Sequence, residues 1–296
     1  MGDANVDGFP TGPKRPEDRV PIRIGRFRAE RQYLADHCFA LVSGGGEPPN
    51  DVVPREAWEG IMDLPTDVLL RTTDYLGKMV DDMHDQWGGW IFATPSEPKQ
   101  SAFMFEPALD ASDEFQAAPF AAMHGWYRQA TAGLRNALEA MAIAAAFAVR
   151  NDSARYAEWR AGTHEPKFGN AVELLGMDKR LAVFDSQAGP PGLFGRKPDG
   201  VVQETYTKLC RYAHSRAGHT NYDIWQSNGP VFIGRGFTQF WTDFCDTIAL
   251  SYVLLKIGWP QLTLPEPARP LFGWASQRWN GIGEAVEAEF FPPSES

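Results

Sequence analysis

The sequence predicts an all-α protein, an irregular multi-helix bundle around a long central apolar helix, with long Pro- and Gly-rich loops. Apolar residues recur at the helical spacing along several stretches of the chain, and the alternating pattern typical of strands is almost absent. The 28 Gly and 23 Pro residues separate these stretches. With 43% hydrophobic residues, a chain of 296 residues can bury a large core.

Three segments divide the chain in this prediction. Residues 1–22 are rich in Gly, Pro and basic residues and are expected to form a flexible arm, which either faces water or touches an acidic partner. Residues 23–290 are expected to form a single helical domain. The acidic, Pro-broken residues 291–296 are expected to be a disordered tail.

Glycine and proline bound the first predicted helices. We expect one helix over residues 24–42, ended by the glycines at 44–46, and a short one over residues 54–62 that begins with a proline. Thr66 or Asp67 caps the next helix, whose apolar positions recur near the helical period. This helix should therefore bury one face, formed by its apolar side chains.

Residues 119–150 predict the central helix, because they are rich in Ala, Leu, Met and Phe and apolar on most sides. Gly125 and Gly133 allow a bend or close packing within it. Arg135 and Glu139 lie one turn apart in this apolar helix, so we expect an internal ion pair, since an unpaired buried charge is costly.

Shorter elements surround the central helix. The apolar cluster at residues 102–105 predicts a short strand or an extended covering segment, and residues 189–200 predict a loop. Further helices are predicted over residues 153–161, 170–185, 201–215, 237–257 and 274–290.

The net charge disfavours some classes of partner, although local patches can reverse its effect. A formal charge of −10 repels phosphates at long range, which disfavours nonspecific binding to nucleic acids or anionic membranes. The start of the sequence has no secretory signal, and the apolar runs at 140–149 and 248–255 are shorter than the ~20 residues of a membrane span. We therefore expect a soluble cytoplasmic protein.

No cofactor or metal is predicted. Cys38, Cys210 and Cys245 are widely spaced, which indicates buried free thiols rather than a disulfide framework or a zinc site. Acidic residues at 74, 81 and 85 flank His84 at spacings that could share a divalent cation, but no complementary pair of ligands occurs elsewhere. A solvated acidic face is the prediction.

The strongest candidate site is the stretch RYAHSRAGHTNYDIWQSNGP at residues 211–230. It concentrates hydrogen-bonding groups beside a tryptophan between two predicted helices, and loops on a rigid scaffold are favoured places for binding. Helix capping by His214 and Arg216 and turn formation also account for many of these residues. The candidate binding residues are His219, Asn221, Trp225, Ser227 and Asn228.

Three motifs carry a resemblance to known proteins. LRNALEA at 134–140, ARYAEWRAG at 154–162, and LCRYAHSR with IWQSNGP between 209 and 230 resemble an uncharacterised family of bacterial all-helical proteins. The resemblance implies a helical fold and no particular activity.

A more distant resemblance is to the helical HEPN proteins. Their ribonuclease members use an Arg, a polar residue and a His four to six residues after the Arg, paired across a dimer. Here Arg135 and Asn136 have no His in that window, and Arg211 is followed by His214 after only three residues. The resemblance implies a homodimer and a metal-independent ribonuclease only if the spacing is relaxed.

Two classes of function remain open. The first is a non-catalytic helical protein that recognises a protein partner or a small ligand through residues 211–230. The second is the ribonuclease, in which His214 acts as the base and Arg211 or Arg216 steadies the phosphate. The negative charge weighs against the second class, because RNA affinity depends on phosphate contacts.

Overall fold

The regular secondary structure of the described residues is all helical, which confirms the predicted all-α class. The computed structural model describes residues 55–195, 200–213 and 230–292, and within residues 55–62 it describes the backbone alone. These ranges contain no strand. Their α-helices are α1 (Arg55–Ala93), α2 (Phe105–Met123), α3 (Tyr127–Arg150), α4 (Ser153–Arg160), α5 (Phe168–Met177), α6 (Lys179–Ala188), α7 (Val201–Ala213), α8 (Gly234–Gly258), α9 (Arg269–Ser276) and α10 (Ile282–Phe290).

The core lies between the two long helices α3 and α8. Leu134, Leu138 and Met141 of α3 are fully buried, and a run of buried alanines after them lets neighbouring helices approach closely. An aromatic cluster joins α1, α2 and α8: the ring of Trp90 meets those of Phe115 and Tyr252 edge-on, at centroid distances of 5.2 and 5.0 Å. Helix α3 packs against α2, α4, α5, α7 and α8, so it lies at the centre of the bundle, as predicted.

The predicted single helix over 119–150 is wrong at one point. Helix α2 ends at Met123, and the chain turns through Gly125, whose φ is +81°. A Cβ at Gly125 would lie 2.4 Å from the backbone nitrogen of Val231, so only glycine fits this turn. The close packing expected at Gly133 is confirmed, because a Cβ there would lie 2.8 Å from Oε2 of Glu114.

Two predicted boundaries in the first half of the described chain are also wrong. Residues 102–105 form no strand; residues 102–104 form a turn, and Phe105 begins α2, with Met104 fully buried. The helices predicted on either side of Pro65 are one helix, α1, which bends at Leu76 instead (φ −129°, ψ 21°). Proline fixes φ near the helical value, so Pro65 costs a hydrogen bond without ending the helix.

Two predicted helices in the second half are each divided. The segment 170–185 breaks at Asp178, which ends α5 and caps α6 by accepting hydrogen bonds from the backbone nitrogens of Arg180 and Leu181. The segment 274–290 breaks at Asn280 and Gly281, both with positive φ. In each case the apolar pattern continues across the break.

Helix α3 is the one helix of the described chain that is long and apolar enough to cross a membrane by length and composition. Most of its apolar window is buried inside the bundle, and the core helix of a bundle meets the same two criteria. The predicted ion pair is present on this helix: Nη2 of Arg135 lies 2.8 Å from Oε2 of Glu139.

Candidate functional site

The structure describes only the start of the predicted recognition segment. Arg211 lies on the last turn of α7 and is exposed. Seven further candidates lie outside the described residues, so their convergence on one site stays a prediction; they are His214, Arg216, His219, Asn221, Trp225, Ser227 and Asn228.

Both ends of this segment are fastened to the start of α3. Arg128 donates from Nε to the carbonyl oxygen of Ala213 at 3.1 Å. On the far side, the hydroxyl of Tyr127 accepts a hydrogen bond from the backbone nitrogen of Ile233 at 3.2 Å, and Gly125 contacts Val231. Burial raises the pKa of Tyr127 to about 12, so its hydroxyl stays protonated at this junction.

The acidic residues of α1 behave as expected. Asp81, His84 and Asp85 are exposed, which confirms the solvated face. No group of metal-ligating side chains occurs within the described ranges. Cys245 is buried, and burial raises the pKa of its thiol far above its usual range, while Cys210 is half-buried.

A groove that the sequence analysis did not identify lies along the end of α3. It has a volume of about 650 Å³, within the range of small-molecule sites. Helices α3, α4 and α5 and the turn before α5 form its walls. The lining residues are Ile143, Ala146, Phe147, Arg150, Asp152, Arg155, His164, Pro166, Lys167, Asn170, Ala171, Glu173 and Leu174.

Three cations line this groove without an ion-pair partner in the described ranges. Arg150, Arg155 and Lys167 are exposed, and none lies within 4 Å of a described carboxylate. By contrast, Arg135, Arg160, Arg269 and Arg278 are all paired. Exposed cations elsewhere, on α6 for example, also lack a described ion pair, but these three share one concave surface of a protein whose net charge is −10.

The two acidic residues of the groove only partly offset these cations. Asp152 is the N-cap of α4, and its Oδ1 accepts a hydrogen bond from the backbone nitrogen of Arg155 at 3.1 Å. Glu173 lies on the exposed surface of α5. The three cations and two carboxylates of the lining therefore leave one net positive charge, with His164 not counted.

Helix α4 forms one wall and is held mainly by polar and aromatic contacts. None of its residues is buried. Arg160 donates to Glu106 at 2.8 Å and to Asp110 at 2.6 Å, which ties the end of α4 to α2. The rings of Tyr156 and Trp159 contact that of Phe147, a residue of the groove floor. Burial raises the pKa of Tyr156 to about 12.

Helix α5 forms the opposite wall and is positioned through α7. The ring of Phe168 stacks on that of Tyr206, with centroids 3.6 Å apart and planes 11° apart. The hydroxyl of Tyr206 accepts a hydrogen bond from Arg135 and donates one to Glu139. The start of α5 is thereby fixed beside Glu139 of α3.

Two buried carboxylates on α8 form a second polar cluster, which holds helices together. Oδ1 of Asp243 lies 2.5 Å from Nζ of Lys208 on α7, and its Oδ2 is buried with no described partner. Burial raises the pKa of Asp243 to about 6, although Lys208 lowers it. Asp246 is paired with Arg278 and accepts from Nε1 of Trp279 at 3.0 Å.

The groove residues were missed because no spacing in the sequence joins them. No helical face contains all three cations, because Arg150, Arg155 and Lys167 lie on different elements. Each of them, taken alone in the sequence, predicts only a solvent-exposed charge. One signal was present: four basic side chains occur between residues 150 and 167, a local excess in an acidic chain.

No protein-family model, no curated protein and no solved structure matches this chain.

Proposed function

We propose that the protein is a non-catalytic helical binding protein whose ligand is a small organic anion held in the groove of α3, α4 and α5. The observation that carries this proposal is the convergence of Arg150, Arg155 and Lys167, all unpaired in the described ranges, on one cavity. Guanidinium groups bind carboxylates through paired, charge-assisted hydrogen bonds.

The apolar part of the lining favours an organic ligand over an inorganic ion. Ile143, Phe147 and Leu174 line the same cavity as the cations. Binding sites of this size are typically apolar with a few polar groups that fix orientation. An anion that also carries an apolar body therefore fits both parts of the lining.

Octanoate is a suitable first probe, because it combines one carboxylate with an apolar chain. We expect isothermal titration calorimetry at low salt to detect binding, and Arg150→Gln with Arg155→Gln to weaken it about tenfold or more. Added salt should also weaken binding, since it screens the attraction. Arg180→Gln is the matched control, because Arg180 is an exposed cation on α6 outside the groove.

Two results would refute the proposal: no octanoate binding by the wild type, or equal binding by the wild type and the double variant. Circular dichroism of each variant checks that the helical fold is retained.

Residues 211–230 are our second proposed contact surface, for a protein partner. The anchoring of both flanks on residues 125–128 favours it, because a segment presented from a fixed base suits recognition. A pull-down with Trp225→Ala and Asn228→Ala should lose what the wild type retains. Cleavage of total RNA that survives a chelator and disappears in His214→Ala would instead support the ribonuclease alternative.

A further inference from the structure

The groove has two distinct ends, and the positions of α4 and α5 along α3 define them. Helices α2 and α3 run antiparallel, since they are joined by the turn at Gly125 and Asn136 donates to Glu114 at 3.1 Å. Residues one and two turns before Glu114 on α2 therefore lie beside residues one and two turns after Asn136 on α3.

Helix α4 folds back along α3 from its C-terminal end. It begins at its cap Asp152, two residues after α3 ends. It finishes at Arg160, which is bonded to Glu106 and Asp110, the two positions on α2 that lie one and two turns before Glu114. Arg155, in the first turn of α4, therefore lies at the same end of the groove as Arg150, beside the C-terminal end of α3.

Helix α5 begins near the other end of the groove. Phe168 is stacked on Tyr206, and Tyr206 is bonded to Glu139, so Lys167 precedes a residue fixed near the level of Glu139. Arg150 lies eleven residues beyond Glu139 on the same helix. At about 1.5 Å per residue, Glu139 and Arg150 are roughly 16 Å apart along the axis of α3. Long side chains that reach into the groove reduce the distance between the charged groups to roughly 10 Å or more.

The floor between the two cationic ends is apolar. Ile143, Ala146 and Phe147 follow one another along α3 at the helical spacing between Glu139 and Arg150. They offer no hydrogen-bonding group to the middle of a ligand.

We propose that the ligand class is an elongated organic dicarboxylate, with one carboxylate at Arg150 and Arg155, the other at Lys167, and an apolar chain over Ile143 and Phe147. This inference rests on the proposed anion-binding function. Carboxylates suit the site better than phosphates, because Asp152 and Glu173 keep the net positive charge of the lining small.

A chain-length series tests the inference. Octanoate, octanedioate, decanedioate and dodecanedioate are titrated into the full-length protein by calorimetry. We expect one of the dicarboxylates to bind about tenfold more tightly than octanoate, because its second carboxylate reaches the second cationic end.

The substitution Lys167→Gln tests the contribution of one cationic end of the groove separately from that of the other. It should weaken the best dicarboxylate about tenfold, to the level of octanoate, and weaken octanoate itself by a much smaller factor, because octanoate binds chiefly at Arg150 and Arg155. Lys167→Arg should restore dicarboxylate binding, and Lys179→Gln, an exposed cation on α6, should bind every probe as the wild type does.

A failure of the dicarboxylate inference can be distinguished from a failure of the proposed anion-binding function. If octanoate binds but no dicarboxylate binds more tightly, or Lys167→Gln leaves dicarboxylate binding intact, the two-ended ligand is refuted and the anion site stands. If none of the probes binds, the proposed function itself fails.

Discussion

Helices α7 and α4 both pack on the central helix α3, but different forces hold them there. Helix α7 buries Val201, Val202 and Leu209, and its polar contacts reach charged groups shielded from water, above all Asp243, of which 2% of the side chain is exposed. Helix α4 buries no residue, and its ion pairs face carboxylates that are about half exposed.

The difference predicts that α7 is held more firmly on the central helix than α4 is. Removing one partner of a buried ion pair costs far more than removing one of an exposed pair, since the remaining charge cannot be solvated. We therefore expect α7 to be part of the cooperative core. We expect α4, a wall of the groove, to move at a lower cost in free energy than α7 when a ligand enters.

Lys208→Met should have the largest effect. It leaves the carboxylate of Asp243 buried without its cation, so we expect a loss of about 3 kcal/mol in the free energy of unfolding at about pH 8, where Asp243 is ionised. Urea denaturation measures it. Lys179→Met, at an exposed cation with no described ion pair, is the control; an equal, small change in both variants would show that the α7 contact contributes nothing.

Asp243→Asn should remove a pH dependence. The pKa of Asp243 is raised from 3.8 to about 6 in the fold, so the folded state binds this proton more tightly than the unfolded state does. Its contribution to stability is present at low pH and is lost as the pH rises from about 4 to about 6, by up to about 3 kcal/mol.

The quantity to compare is the difference between the wild type and Asp243→Asn at each pH, because other carboxylates then cancel. A difference that stays constant between about pH 4 and about pH 7 would contradict the buried, proton-binding state of Asp243.

The same substitution, tyrosine to phenylalanine, can be made on both helices, at Tyr206 of α7 and at Tyr156 of α4. The two variants show how much one hydroxyl group contributes to stability on each helix. The hydroxyl of Tyr206 on α7 bridges Arg135 and Glu139, so its loss should destabilise the protein by about 1 kcal/mol. The hydroxyl of Tyr156 on α4 is buried with no described hydrogen-bond partner, so its loss should cost nothing. Thermal unfolding of both variants checks this order, and the reverse order would count against it.

Arg160→Ala should have only a small effect on global stability, below about 1 kcal/mol, because Glu106 and Asp110 remain solvated. Its effect should be local. Limited proteolysis should cleave within residues 151–167 faster than in the wild type, while the unfolding midpoint changes little. Unchanged cleavage would mean that the aromatic contacts alone hold α4.

The fold class was predictable from the sequence, and the boundaries were less so. Periodic apolar residues mark the faces of α3 and α8, because burial imposes that spacing. A bend at Gly125 was among the predictions, but the end of α2 there was not, since its reason is the close approach of Val231, more than a hundred residues away. The breaks at Asp178 and at Asn280 and Gly281 interrupt a pattern that continues on both sides.

The candidate groove was beyond the reach of spacing rules for a similar reason. Arg150 and Lys167 become ends of one cavity only because Arg160 ties α4 back onto α2 and Phe168 stacks on Tyr206. These are tertiary contacts between distant segments. The ion pair of Arg135 with Glu139 was predictable, because both residues lie on one helix face.

The hydrogen bonds of Ala213 to Arg128 and of Ile233 to Tyr127 bring the two described flanks of residues 214–229 to the same turn of α3. Since the chain leaves and returns at one turn of α3, closing the gap with a short Gly/Ser linker adds little entropic cost. Such a deletion variant should fold as the wild type does and keep the groove, so that every property it loses belongs to the excised sixteen residues. The molecule thus permits its two proposed contact surfaces to be assayed one at a time.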